Sequence, residues 1–527
     1  MAADLKVVLA ALLKDISERS SCENLAEAKA ILSATRAENI YNVSKDLDLS
    51  PLFSCSSKFN GCRYLWYNHA SGNLQSSGFS DVPARSTLDE LSELLGKLLD
   101  AFPPSALLSA HKQHFVTALN TSDGALKAVV LRQLIRCSKD NAMLSQLARD
   151  HRILESVLRL LGGEDLWSSK QSAILLKQMT REKEVLSAML HPPVSHVLDS
   201  VMDGGDVCRF RVFEVFVEVA RASPENLERL SESGYLERLV KEMDKNDVLV
   251  QLNALEVLTD LVSCSHGLDY LERTGIISKL RQKALNIGSD PLGNFLGPGV
   301  LKFFGSMGVT SPQRLLLDYP QVLGFIFDSV QSDDPAFQVV AAETVGIISS
   351  TIQGKRVLQS HGDQMSRYLK TLSQNLHSGK VDFKVRYLGA LANVLHVQDS
   401  SCEDLVNLTE RWYSLLGDRP TDMLLRLCRQ PFPELRCATL AVITEVARVP
   451  WGQATLAAQP GFLEYLLDRS TEADKPCKEA KFAVVATLAQ VQPRGFSAED
   501  WQRIRTTYQE GPFYMASEAA VTFEGLS

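Results

Sequence analysis

Residues 246–263 read NDVLVQLNALEVLTDLVS, followed at 267–280 by GLDYLERTGIISKL. Asn and Asp come first, residue types whose side chains cap the free amides of a first helical turn. Apolar residues then recur at three- and four-residue spacing, which puts them on one face of a helix. The pattern returns at 333–350 as DDPAFQVVAAETVGIISS, with GKRVLQS at 354–360. It returns again at 432–452 as FPELRCATLAVITEVARVPWG, with GFLEYLLDRS at 461–470. The copies align on an anchor, an apolar residue four later, a variable residue six later and usually an apolar residue seven later. Nine copies emerge, with variable positions at Gln133, Gln178, Glu218, Asp260, Ser306, Ile347, Asn393, Glu445 and Thr487, at intervals of 40 to 52 residues.

A single such unit cannot bury its own apolar face, whereas stacked units can. The spacing is that of armadillo and HEAT arrays. The expected fold is therefore all-α: an armadillo/HEAT-like α-solenoid with a concave binding groove. Positions zero, four and seven pack inward, and position six stands beside that stripe. In armadillo-type units the long helix lines the groove and position six points into it. Eight of the nine variable residues are polar, Ile347 being the exception. Gln133, Gln178, Glu218, Asp260, Ser306, Asn393, Glu445 and Thr487 are accordingly the candidate protein-binding residues.

Along the chain, 1–53 reads as an N-terminal helical cap. Its VVLAALL at 7–13 is preceded by Asp4 and followed by no clear cleavage site, so it reads as an amphipathic helix and not a secretory leader. Residues 54–87 lose the helical period and are rich in Ser, Gly and Asn, as expected of an irregular insertion. The array divides into 88–290 and 291–511, and 512–527 forms a tail. Gly297-Pro298-Gly299 is expected to interrupt or kink the helix pair there, which puts a bend at 290–300.

Composition excludes several function classes. Apolar residues make up 45% of the chain, charged residues 22%, and the formal net charge is −8. That balance speaks against a general nucleic-acid binder and leaves room for a basic protein partner. No apolar run approaches the ~18 residues of a membrane span. The ten cysteines include no C-x-x-C pair, and Cys208, Cys264 and Cys437 fall in apolar helical patterns. Reduced thiols in such settings fit a cytoplasmic protein, with the nucleus as a second compartment. There is no G-x-x-x-x-G-K-[ST] loop, and Gly354-Lys355 lacks its upstream glycine. Neither H-E-x-x-H nor a nucleophile elbow is found, so neither an enzyme nor a cofactor is expected. Cys55, Cys62 and His69 have untypical spacing for zinc. His111 with His114, and His191 with His196, read as solvated helix-end histidines. Trp412 and Trp451 read as plugs between repeats.

Several long stretches, in order, carry a resemblance. QPFPELRCATLAVI at 430–443, PWGQ at 450–453 and PGFLEYLLDRSTEADK at 460–475 resemble the proteasome non-ATPase regulatory subunit five family. So do GPGVLKFFGSMGV at 297–309, DVCRFRVFEVFVEVARASPENL at 206–227 and YQEGPFY at 508–514. The similarity runs over about 90–527 and more loosely over 1–53. Residues 54–87 depart from it, since the family pattern there is a continuous helix pair; they are an insertion or a mispredicted exon. The resemblance implies an assembly chaperone for the base of the proteasome regulatory particle. Such a protein holds the C-terminal domain of one base ATPase, together with that subunit's paired ATPase, and leaves before the mature proteasome forms. A large non-ATPase base subunit is a candidate further contact, and the free protein is expected to be a monomer. The competing reading is a general armadillo-type scaffold or nuclear transport adaptor. Transport adaptors repeat Trp and Asn along the groove helix, and here only Asn393 fits.

Overall fold

The structure, a computed structural model, describes residues 2–18, 22, 24–55, 85–287, 293–399, 401–490 and 494–514. Among these, every regular element is a helix. Most of the irregular stretch, 56–84, lies outside the described residues, as do 288–292 of the expected bend and 515–527 of the tail. The chain forms two compact units, Met1–Leu239 and Val240–Ser527.

Ten long helices carry the repeat signature or stand in line with it. In the first unit they are α1 (Arg85–Asp100), α2 (Gly124–Cys137), α3 (Leu166–Met179) and α4 (Asp206–Ala222). In the second they are α5 (Val248–Leu261), α6 (Gly293–Thr310), α7 (Pro335–Ile348), α8 (Val381–Leu395), α9 (Pro433–Ala447) and α10 (Lys475–Gln490). Within each unit, every one of these helices packs on the next, making a ladder. Further helices of the second unit stack in rows of their own beside the ladder. Ile276–Leu285, Pro320–Ser329 and Gly362–Ser378 form one row; Pro312–Leu317, Ile352–Gln359, Glu403–Ser414 and Pro450–Ala457 form the other. This is the armadillo/HEAT-like α-solenoid. In the first unit the opening helix Ala2–Glu18 buries Leu5, Leu9, Leu12 and Ile16. It packs against Leu25–Ala34 and Ala37–Ser44, as its amphipathic pattern requires.

Local chemistry starts the ladder helices where the sequence says it should. The Asp247 carboxylate accepts from the Leu249 and Val250 amides at 2.9 and 3.2 Å. Asp334 does the same for Ala336, and Pro433 occupies the first turn of α9, where a missing N–H costs nothing. The repeat register also holds. Ala254, Leu258 and Leu261, at positions zero, four and seven, are fully buried, as are Ala341, Val345 and Ile348.

Gly297-Pro298-Gly299 corrects an expectation, because α6 runs unbroken through it from Gly293 to Thr310. The two glycines serve close packing. A Cβ on Gly297 would come within 2.8 Å of the Phe337 ring, and one on Gly299 within 2.8 Å of Leu255. Pro298, the sixth residue of the helix, removes one early intrahelical bond without ending the helix.

Candidate protein-binding surface

Position six lies next to the buried stripe, so a side chain there can turn outward or reach across to the neighbouring ladder helix. The structure uses both options. In the first unit Gln133 is fully buried and donates to Asp100 Oδ1 at 2.6 Å, tying α2 to α1. It therefore offers nothing to a partner surface. Gln178 is partly exposed and accepts from Ser138 at the end of α2. Glu218 is exposed and ion-paired with Lys177 of α3. In the second unit Asp260 is exposed, as is Glu256 one turn before it. Ser306 is partly exposed, and Ile347, the apolar exception, is 41% exposed. Asn393 is partly exposed, and the Thr487 hydroxyl folds back onto the Ala483 carbonyl at 2.8 Å. Glu445 is mostly buried, accepting from His396 Nδ1 at 2.8 Å and lying 3.2 Å from Arg448 Nε.

These residues thus do two jobs. Gln133, Gln178, Glu218 and Glu445 are rungs between successive helices, whereas Asp260, Ile347 and, in part, Ser306 and Asn393 face outward. The strongest rung was not marked by position six at all. Arg386 of α8 grips Glu343 of α7 through two parallel bonds, Nε to Oε1 at 2.6 Å and a terminal nitrogen to Oε2 at 2.5 Å. This fork-on-carboxylate geometry fixes orientation as well as energy. Arg and Glu one repeat apart on matching helix faces was the signal available in the sequence.

The corners of the second unit are built from glycine. A Cβ on Gly267, Gly354 or Gly452 would lie 2.1, 1.7 or 2.0 Å from a backbone carbonyl, that of Leu261, Ile348 or Val446 respectively. Each carbonyl belongs to the last turn of a ladder helix, six residues upstream. At two of these corners the residue after the glycine reaches back to the neighbouring carbonyl. Gln453 Nε2 donates to Ala447 at 3.1 Å, and Lys355 Nζ donates to Ser349 at 2.6 Å. Lys355 goes further, with two more bonds at 2.8 Å to the Asn393 and Val394 carbonyls. It is 2% exposed, and its ammonium stands 6.0 Å from the centre of the Trp412 ring. Burial pulls its pKa down to about 7, opposed by the charge of Glu445, and the three acceptor carbonyls at helix C-termini also favour the charged form. Trp412 and Trp451 are both buried plugs, the latter tilted against Tyr413 at 5.0 Å between ring centres.

The histidine expectation fails for His111. It is buried, with its ring 5.4 Å from Phe102, 5.7 Å from Phe53 and 6.0 Å from His114. Neither ring nitrogen has a hydrogen-bond partner. Burial holds its pKa down at about 4, helped by His114 and opposed by Asp48. An unfolded imidazole titrates near 6.5, so between about pH 6.5 and 4 the unfolded chain binds more protons. The neutral form's stabilisation is therefore complete above pH 6.5 and is lost as pH falls toward 4. Urea unfolding at pH 7 and pH 4.5 should show that His111→Phe removes about 2–3 kcal/mol of this acid sensitivity. Equal pH dependence in both proteins would overturn this assignment. Among the described residues no group of three or more His, Cys, Asp or Glu could hold a metal ion, and no single helix is long and apolar enough to cross a membrane. Cys62 and His69 lie outside the described residues.

Among solved structures, Kap121p bound to Nup53p is similar at a TM-score of 0.44 and 13% identity, over 96% of this chain and 52% of that one. The 26S proteasome non-ATPase regulatory subunit 5 of Homo sapiens is 31% identical over 520 residues, covering 98% of each chain. That of Drosophila melanogaster is 24% identical over 449 residues, 84% of this chain and 87% of the relative. The family model described as proteasome non-ATPase 26S subunit matches residues 17–526. With its helical ladder, its unbroken match and its human relative agreeing, the chain belongs to the 26S proteasome non-ATPase regulatory subunit 5 family.

Proposed function

We propose that this chain is a non-enzymatic chaperone for assembly of the proteasome regulatory-particle base. It holds the C-terminal domain of one base ATPase against the exposed face of its ladder helices and leaves before the mature particle forms. Family membership over nearly the whole chain is the observation that carries this reading. The surface supports it through Glu256 and Asp260 on α5, which are exposed acids suited to a basic helical domain. Charge matching of this kind sets association rate and partner choice more than raw affinity, as suits a partner that must later be released.

The test mixes the full chain with each of the six isolated ATPase C-terminal domains and follows complex formation by size exclusion. Stable binding to one domain is the expected result, and binding to none would overturn the proposal. Glu256→Lys and Asp260→Lys, made separately, should each weaken that complex several-fold, with the loss largest at low salt. Neither should move the melting temperature appreciably, because exposed charges contribute little to stability.

A further inference from the structure

The second unit carries a row of apolar side chains that its core leaves wholly or partly exposed. Leu249 is the second residue of α5, and Phe295, Phe337 and Phe383 are each the third residue of α6, α7 and α8. Phe432 immediately precedes α9. Leu249, Phe295 and Phe432 are 72%, 63% and 42% exposed, and the other two are partly exposed. Core apolar residues of the same helices are almost wholly buried, so this exposure is a feature of one place in the repeat. The first unit repeats it with Trp167 and Val207, each the second residue of its ladder helix.

The register of the ladder puts the row in line. Gly297 lies against the Phe337 ring, Gly299 against Leu255, Gly346 against Ala390, and Glu343 grips Arg386. Neighbouring helices thus sit side by side with like ends together, and the five side chains mark one rim of the ladder. Packed helices are spaced about 8–10 Å apart, so the rim offers an apolar group about every 10 Å. A helix lying along it advances about 10.5 Å in seven residues. The rim therefore matches a helix whose apolar residues recur every seven positions.

Charge selects the polar face of that helix. Asp247, Asp333, Asp334, Asp382 and Glu434 border the row and make no ion pair among the described residues, against three cations, Lys380, Lys384 and Arg429, likewise. The other nearby charges are engaged: Asp244 with Lys279, Lys245 with Glu242, Arg436 with Glu472 and Asp474. Two of the bordering acids, Asp247 and Asp334, also cap helices, and the excess of acids remains.

From this juxtaposition we infer that the rim formed by Leu249, Phe295, Phe337, Phe383 and Phe432 docks a basic amphipathic helix of a partner protein, with apolar residues at heptad spacing. This contact is separate from the ladder face assigned to the ATPase domain and does not depend on it.

Three fluorescent 28-residue helical peptides test the inference by anisotropy with the full chain: one with Leu at heptad spacing on a Lys-rich background, one of the same composition with the Leu positions scrambled, and one with Glu for Lys. The heptad Lys peptide should bind at least tenfold more tightly than either other peptide. The Leu249→Ser/Phe295→Ser/Phe432→Ser variant should lose that preference while keeping its melting temperature. If the triple variant does not fold, single Leu249→Ser and Phe432→Ser variants should each reduce the preference at least threefold. Equal binding of all three peptides, or a preference unchanged by the serine substitutions, overturns the inference. So does sedimentation showing that the unmodified chain self-associates and the serine variant does not, since a second copy would then be the occupant. A failed peptide test leaves the ATPase-domain reading standing, and a failed ATPase test leaves this one.

Discussion

Replacing Lys355 with methionine is expected to destabilise the second unit by about 3–5 kcal/mol, although the substitution keeps the length and apolar stem of the side chain. The cost arises at the far end. Three backbone carbonyls, those of Ser349, Asn393 and Val394, converge on Nζ at 2.6 to 2.8 Å. All three belong to the last turns of α7 and α8, where no intrahelical amide remains to bond them. Methionine leaves them buried and unmatched, and each such acceptor costs about 1–3 kcal/mol. The contact of the ammonium with the Trp412 ring is lost as well. Urea unfolding followed by circular dichroism measures the effect, with exposed Lys302→Met on α6 as the control expected to change little. A loss below 1 kcal/mol for Lys355→Met would show that water replaces the ammonium and that the corner does not rely on it.

Gly354→Ala should cost about 3 kcal/mol, while Gly389→Ala should stabilise by about 0.5–1 kcal/mol. The two glycines are both helical, and their surroundings set the opposite signs. A Cβ at Gly354 would stand 1.7 Å from the Ile348 carbonyl oxygen and 2.9 Å from Thr351 Oγ1, so the short helix Ile352–Gln359 must move away from α7. That movement also pulls Lys355 from its acceptors, so the effects of the two substitutions will not add. Gly389 lies inside α8 with nothing within 4 Å of a built Cβ, and alanine there only reduces the freedom of the unfolded chain. Thermal unfolding of both variants beside the unmodified chain decides the matter. Destabilisation by Gly389→Ala would mean that this face of α8 is covered.

The periodic core was legible because helical spacing and burial have the same cause. Ala254, Leu258 and Leu261 follow a stripe that only the interior can accept, and they are buried as that stripe requires. Position six was harder to read, because a polar residue beside a buried stripe is equally suited to water and to a partner one repeat away. Gln133 and Glu445 took the second course, and nothing local in the sequence distinguishes them from Asp260, which took the first. Lys355 was invisible for a related reason. A lysine in a short helix ordinarily reaches solvent, and its burial depends on two carbonyls about forty residues downstream. His111 was misread because its partners are the rings of Phe53 and Phe102, brought together only by tertiary packing. Gly297-Pro298-Gly299 carried the local signature of a break, yet its glycines admit the Phe337 ring and the Leu255 side chain.

The stacking of α5 through α10, each chiefly on its immediate neighbours, has a mechanical consequence. A globular core resists tension with many contacts that must fail together, whereas a one-dimensional stack divides the load along its length. Pulled from its C-terminal end, the second unit would shed α10 before α9 and α9 before α8, in a run of small separate releases. Rungs such as the Arg386–Glu343 fork would set the height of individual steps in that sequence. The unit is in this sense a spring with graded teeth, able to yield locally under the pull of a partner and to close again from whatever repeats remain stacked.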